Sequence, residues 1–228
     1  MTKFMTKYKK KIFFLTGKRG GFDAMTPLLK LLSKDKKIQL KIIATDQHLL
    51  KKFGSTINSV NKIFSKETIQ LNLYQKNSMS YSRLISMSKL VAKLSSYLLN
   101  NKPDLMIIYG DRAEAFIAAF VCNNLNIKIC HFQGGDLTGN IDERFRHAIT
   151  KMSDYHFVSN QLAKKRLIQL GEDKNSIFNH GDNHIDSLKK VRFENIKFLT
   201  KKNGINIDKE YVVLLFHPDG TSFKKNKI

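Results

Sequence analysis

The feature that most constrains this 228-residue chain is a regular alternation between short apolar runs and longer stretches that read as helix. Residues 12–15 (Ile-Phe-Phe-Leu), 38–44, 69–71, 105–108, 127–132, 155–158 and 177–179 read as strands. In the second of these, polar and apolar residues alternate so weakly that both faces must be covered. Residues 23–32, 81–99, 113–123, 141–152 and 161–170 read as helices, and 48–61 as helical or loop-rich. The spacing is clearest in 81–99, where Leu84, Met87, Val91, Leu94 and Leu98 form one apolar stripe before Asn100, Asn101 and Pro103 end it. Strand and helix in this rhythm predict an α/β fold, a parallel sheet with helices on both faces.

Charge bears on partners. The chain carries a formal net charge of +21, which attracts phosphate surfaces. The basic residues, however, are 33 Lys against 7 Arg, spread along the whole chain. Nucleic-acid readers recruit the planar Arg fork, so a solvated Lys coat is expected and no nucleic-acid partner. Cys122 and Cys130 offer neither a disulfide framework nor metal-ligand spacing and read as small buried hydrophobes. The basic start of the chain precedes too few apolar residues for a signal-peptide core, and no run approaches membrane-spanning length. A soluble cytoplasmic protein with no membrane partner is expected.

The pattern divides the chain into a basic tail (1–10), one α/β domain (11–188), a polar and basic connector, helical in part (189–209), and a final segment (210–228). In that segment residues 211–216 read as a new buried strand, followed by His217-Pro218-Asp219-Gly220. A lone strand makes no domain, so this is expected to be the truncated start of a second one.

In open parallel sheets, ligands bind beyond the C-terminal strand ends. Five such ends carry charged or Gly-rich turns: Gly17-Lys18-Arg19-Gly20-Gly21, Gly110-Asp111-Arg112, Gln133-Gly134-Gly135-Asp136, Gly181-Asp182-Asn183, and His217. Each has a plain structural explanation. Glycines serve tight turns, the first loop fails the spacing of a dinucleotide fingerprint or a P-loop, and Asp111 suits a helix N-cap. Asn140 with Glu143 resembles a capping box, Asp142 and Arg146 suit an i,i+4 surface pair, and His131 and His147 alone suit structural roles. Taken together, Asp142 and Arg146 lie on one face of a helix that starts beside the cleft, and Asp111 approaches from the neighbouring strand. Converging carboxylates support proton transfer, with Arg19 and Arg112 supplying charge for a diphosphate.

These residues carry a resemblance. Gly17-Lys18-Arg19, Gly110-Asp111-Arg112-Ala113-Glu114, the run from His131 through Gly134, Gly139, Ile141, Asp142, Arg146 and His147 to Lys151, and the 46–54 stretch resemble the hydrolysing UDP-N-acetylglucosamine 2-epimerases, which include enzymes opening sialic and legionaminic acid biosynthesis. The resemblance covers roughly residues 11–219. It implies a Rossmann-like domain that forms the N-terminal half of a glycosyltransferase-B type pair, with the active site between two domains. It further implies elimination of UDP across C1–C2 of the sugar and hydration of the glycal, with no cofactor and no metal. By the same token Asp111 and Asp142 are catalytic carboxylates, and Arg19, Arg112, Arg146 and His217 contact substrate, as does Glu143. Gln133 stands where many members carry a catalytic glutamate, and Asp136 is placed to share its task. The first loop reads Arg-Gly-Gly instead of the usual Arg-Ala-Asp/Glu, consistent with a diacetamido sugar nucleotide in place of UDP-N-acetylglucosamine. A homodimer is a further possibility the resemblance implies. Little or no activity is expected from the 228 residues alone. The alternatives are a glycosyltransferase of the same architecture and a non-catalytic binding remnant.

Overall fold

A computed structural model of the chain describes residues 9–73, 80–189, 196–206, 209–210 and 212–215. It divides into two compact units, Met1–Lys190 and Val191–Ile228. In the first, seven strands form a single parallel sheet: β1 (Lys10–Thr16), β2 (Ile38–Thr45), β3 (Thr68–Leu71), β4 (Leu105–Tyr109), β5 (Lys128–Phe132), β6 (Tyr155–Val158) and β7 (Ile177–Asn179), in the order β3-β2-β1-β4-β5-β6-β7. The helices between them are α1 (Arg19–Lys34), α2 (Ile57–Phe64), α3 (Ser80–Asn100), α4 (Ala113–Asn124), α5 (Ile141–Lys151), α6 (Gln161–Gln169) and α7 (Asn183–Leu188). The Rossmann-like expectation holds, and all seven strands of this unit fall where the sequence placed them.

Burial on both faces explains the apolar runs. Successive strand side chains point to opposite sides. Phe13 and Leu15 therefore join Ile43, Met106, Ile108 and Ile129 beneath α3 and α4, where Leu90, Leu94, Leu98 and Cys122 complete one core. Phe14 points the other way and meets Ile42, Ile107, Cys130, Phe22, Met25, Leu29 and Phe64 in a second core under α1 and α2. Each such side chain contributes roughly 1.5–3 kcal/mol on burial.

Some sequence expectations are corrected. Helix α1 begins at Arg19, four residues before the expected start at Asp23, because Gly20 and Gly21 lie in its first turn. In α3 the buried stripe runs through Met87, Leu90, Leu94 and Leu98, whereas Leu84 is 69% exposed. Pro27 inside α1 has no N–H, so the Asp23 carbonyl one turn earlier lacks its helical partner. Ser187 of α7 donates to that carbonyl at 3.5 Å, joining the two helices.

The second unit contains α8 (Ile196–Asn203). Of the expected strand over 211–216, the described residues 212–215 have no strand pairing and are 77–93% exposed. A strand needs a hydrogen-bonded neighbour, and among the described residues this run has none. His217 lies outside the described residues. Among the described residues, no helix is long and apolar enough to cross a membrane.

Candidate active site at the β1–β4 crevice

The strand order reverses direction between β1 and β4, since β2 and β3 lie on one side and β5 to β7 on the other. Such a reversal opens a crevice above the C-terminal strand ends. A cavity of about 300 Å³ lies there, lined by Gly17 and Lys18 after β1, by Tyr109 to Arg112 and Glu114 after β4, by Gln133 after β5, and by His184 of α7.

Its floor is a buried charge cluster. Arg112 donates to the Asp46 carboxylate at 2.8 Å and, through Nε, to Glu114 Oε1. Asp46 follows β2 with a left-handed φ of 48°, so the cluster ties the exits of β2 and β4 together across β1. Burial disfavours the Arg112 charge, yet Glu114 and Asp46 outweigh it and raise its pKa. Glu114 is 2% exposed, and burial, aided by Asp46 and opposed by Arg112, raises its carboxyl pKa. Gly17 is required beside it: a Cβ there would lie 2.6 Å from Glu114 Cδ and Cγ. Arg112, expected to hold a diphosphate, is thus engaged by two carboxylates.

A second buried guanidinium organises the next two loops. Arg146 of α5 donates to the Asp111 carboxylate through Nη2 and to the Asp136 backbone carbonyl at 2.5 Å through Nη1. Asp111 therefore does not cap α4; Arg112 is the cap residue, and its side chain makes no capping bond to the helix amides. The Asp136 carboxylate accepts from Asn160 at 3.2 Å and from Ser159 at 3.5 Å. Gly135 precedes it at φ 87°, where a Cβ would press on the Ala163 backbone. His131 is fully buried; its Nε2 must donate to the Gly110 carbonyl at 2.8 Å, which leaves Nδ1 to accept from Thr150. Burial lowers its pKa to about 3, so it is a neutral strut.

The capping box is present in altered form. Asn140 accepts from the Asp142 amide at 3.0 Å, while Glu143 reaches past Asn140 to the amides of Gly139 and Thr138 at 2.7 and 2.6 Å. Those bonds, Gly139 first, lower its pKa. Glu143 therefore holds the 138–140 loop.

The structure brings together Asp111, Arg112 and Gln133 around one cavity. Asp142 instead borders a separate apolar cavity of about 430 Å³ between α3, α4 and α5, with Phe116, Ile141 and Phe145. Arg19 pairs outward with Asp23 at 3.3 Å and is not among the residues lining the crevice. Residues not singled out as site groups also converge here: Asp46, Glu114, Tyr109, Lys18, Asp182 and His184. Their common signal is position, each lying at or just after a strand end. Gln133 has a left-handed φ of 62° and donates to Asp182 Oδ2 at 3.3 Å; Asp182 Oδ1 in turn accepts from the His184 amide and from its ring Nδ1, both at 2.8 Å. Among the described residues, no group of His, Cys, Asp and Glu could hold a metal ion.

A doubly wound parallel sheet with a charged switch-point crevice defines a Rossmann-like α/β unit, and comparison with known proteins narrows it. The family model described as UDP-N-acetylglucosamine 2-epimerase matches residues 30–228, and the chain belongs to that family. It is 37% identical over 211 residues to a GDP/UDP-N,N'-diacetylbacillosamine 2-epimerase (hydrolyzing) of Campylobacter jejuni, covering 92% of this chain and 55% of the relative. It is 31% identical to a UDP-N,N'-diacetylbacillosamine 2-epimerase (hydrolyzing) of Legionella pneumophila, with the same coverage of both chains. The chain thus spans about half the length of the curated relatives it matches. The crystal structure of the Neisseria meningitidis UDP-GlcNAc 2-epimerase bound to UDP-GlcNAc superposes with a TM-score of 0.71 at 22% identity, covering 85% of this chain and 53% of that one. That likeness shows the shared fold, that of one half of a glycosyltransferase-B type enzyme.

Proposed function

We propose that this chain forms the sugar-facing half of a hydrolysing 2-epimerase, which converts UDP-N-acetylglucosamine or a 2,4-diacetamido analogue to the 2-epimeric free sugar and UDP. A second domain, beginning near residue 210, completes the uridine diphosphate side. The observation that carries this reading is Asp111, which borders the switch-point crevice and is oriented by Arg146. The Asp111 carboxylate removes the C2 proton as UDP leaves C1, and water then adds to the glycal. Lys18 adds positive charge at the crevice. Asp136, Asp142, Glu143 and Gln133 are further sugar-side candidates, and Arg19 can reach a diphosphate by leaving Asp23. The names of the two relatives, both diacetylbacillosamine 2-epimerases, favour the diacetamido sugar over UDP-N-acetylglucosamine.

The test is a fusion of the full 228-residue chain to the C-terminal domain of the Campylobacter relative, assayed in deuterated water with each sugar nucleotide. The expected result is UDP release with one solvent deuterium at C2 of the free sugar, abolished by Asp111→Asn. A folded fusion that releases no UDP from either substrate overturns the reading.

A further inference from the structure

Inversion at C2 calls for two proton-handling groups on opposite faces of the sugar: one removes a proton, the other returns one to the far side. Asp111 supplies the first. We propose that His184, oriented by Asp182 at the start of α7, is the second, the general acid that protonates C2 of the glycal. This rests on the epimerase reading above.

His184 borders the same cavity as Asp111 and Gln133. Its Nδ1 lies 2.8 Å from a carboxylate oxygen, so Nδ1 carries a proton. Nε2 has no protein partner among the described residues and is the nitrogen left for a ligand. Asp182 is itself fixed, by the His184 amide on Oδ1 and by Gln133 Nε2 on Oδ2. Burial pushes the Asp182 carboxyl up, but the His184 bonds outweigh it and hold its pKa down, keeping an anion beside the ring. Tyr109 lies edge-on to the imidazole, with ring centroids 6.4 Å apart. The segment is anchored below by Asn183, which is buried and donates to Met25 Sδ at 3.5 Å.

Of the other groups around the cavity, Arg112 and Glu114 hold each other, and Gln133 has no proton to exchange. A carboxylate that orients an imidazole and stabilises its cation is a recurrent acid–base device.

Asp111 takes the C2 proton, the C–H pair becomes the C1=C2 bond, and the C1–O pair leaves with UDP. The His184 imidazolium gives its Nε2 proton to C2 from the opposite face. Water adds its oxygen to C1 and its proton to Nε2, which restores the imidazolium, and Asp111 releases its proton to solvent. The sum is sugar nucleotide plus water giving epimeric sugar, UDP and one proton.

The inference is tested in the fusion with His184→Gln, which keeps a hydrogen-bonding group but cannot supply the proton. Formation of the epimeric sugar should fall about a hundredfold or more, with KM within about threefold. UDP should still be released in the first turnover, and the unsaturated glycal should accumulate, visible by NMR. In His184→Ala, added imidazole should restore product. Asp182→Asn, a positioning change, should slow product formation with glycal again detectable. Parent-like product formation in His184→Gln overturns the inference, as does an equal loss of both steps with no glycal. A parent fusion that releases no UDP overturns the epimerase reading and this inference with it.

Discussion

Arg146 and Asp111, 35 residues apart in sequence, are joined by a buried hydrogen-bonded ion pair that fastens α5 to the exit of β4. The same guanidinium holds the Asp136 carbonyl, so one side chain sets the spacing of two crevice loops. Breaking such a pair strands the remaining charge. Arg146→Ala should lower unfolding free energy by about 3 kcal/mol, read from urea melts. Asp111→Asn, which keeps a neutral acceptor for Arg146, should cost less. Equal stability of Arg146→Ala and the parent would remove this pair from the architecture.

Gly17 and Glu114 are coupled by contact. A methyl at position 17 would press into the Glu114 side chain, which Arg112 pins in place. Gly17→Ala should destabilise by about 1–3 kcal/mol, as overpacking does. In a Glu114→Ala background most of that cost should vanish, since the obstructing atoms are gone. A double-mutant cycle measures the difference, and additive effects would contradict the contact.

The buried histidines set an acid limit on stability. His131 and His48 have pKa values lowered by burial to about 3 and about 4, against about 6.5 in an unfolded chain. Both are neutral in the fold, so the unfolded chain binds more protons between those values. Stability is fully present above the unfolded value and is lost as pH falls towards 4, by up to about 1.4 kcal/mol per unit for each histidine. Urea midpoints should therefore drop between pH 7 and pH 5, before most carboxylates titrate. A flat profile over that range would show that these rings do not stay neutral.

Cys122 and Cys130 are buried in opposite cores, and burial pushes both thiols up to about 12. The thiolate is the reactive form. Neither should react with a disulfide reagent in the folded protein at neutral pH, and both should react on unfolding in urea, counted by absorbance. Fast labelling of either in the native state would contradict the packing described.

The strands were legible because burial on both faces leaves uninterrupted apolar runs such as 12–15, whose residues supply both cores. The run at 211–216 is equally apolar in sequence, but its residues 212–215 have no neighbouring strand among the described residues, which a local pattern cannot reveal. The partners of the charged groups were hidden for a related reason. Asp46 meets Arg112 across 66 residues only because β1 lies between β2 and β4 in the sheet. Sequence spacing placed Arg146 beside Asp142, one helical turn away, yet its guanidinium turns inward to Asp111. Helical periodicity says which residues share a face and not what faces them. Asp142, expected to meet Asp111, borders the cavity between α3, α4 and α5 for the same reason.

Gln133 is held at φ 62°, a backbone state that a side chain occupies at a free-energy cost and glycine occupies freely. Its neighbours Gly134 and Gly135 show that the loop accepts glycine readily. Replacing Gln133 by glycine would relieve that backbone cost and at the same time remove the amide that reaches Asp182, so fold stability and the Asp182 contact pull in opposite directions at this one position.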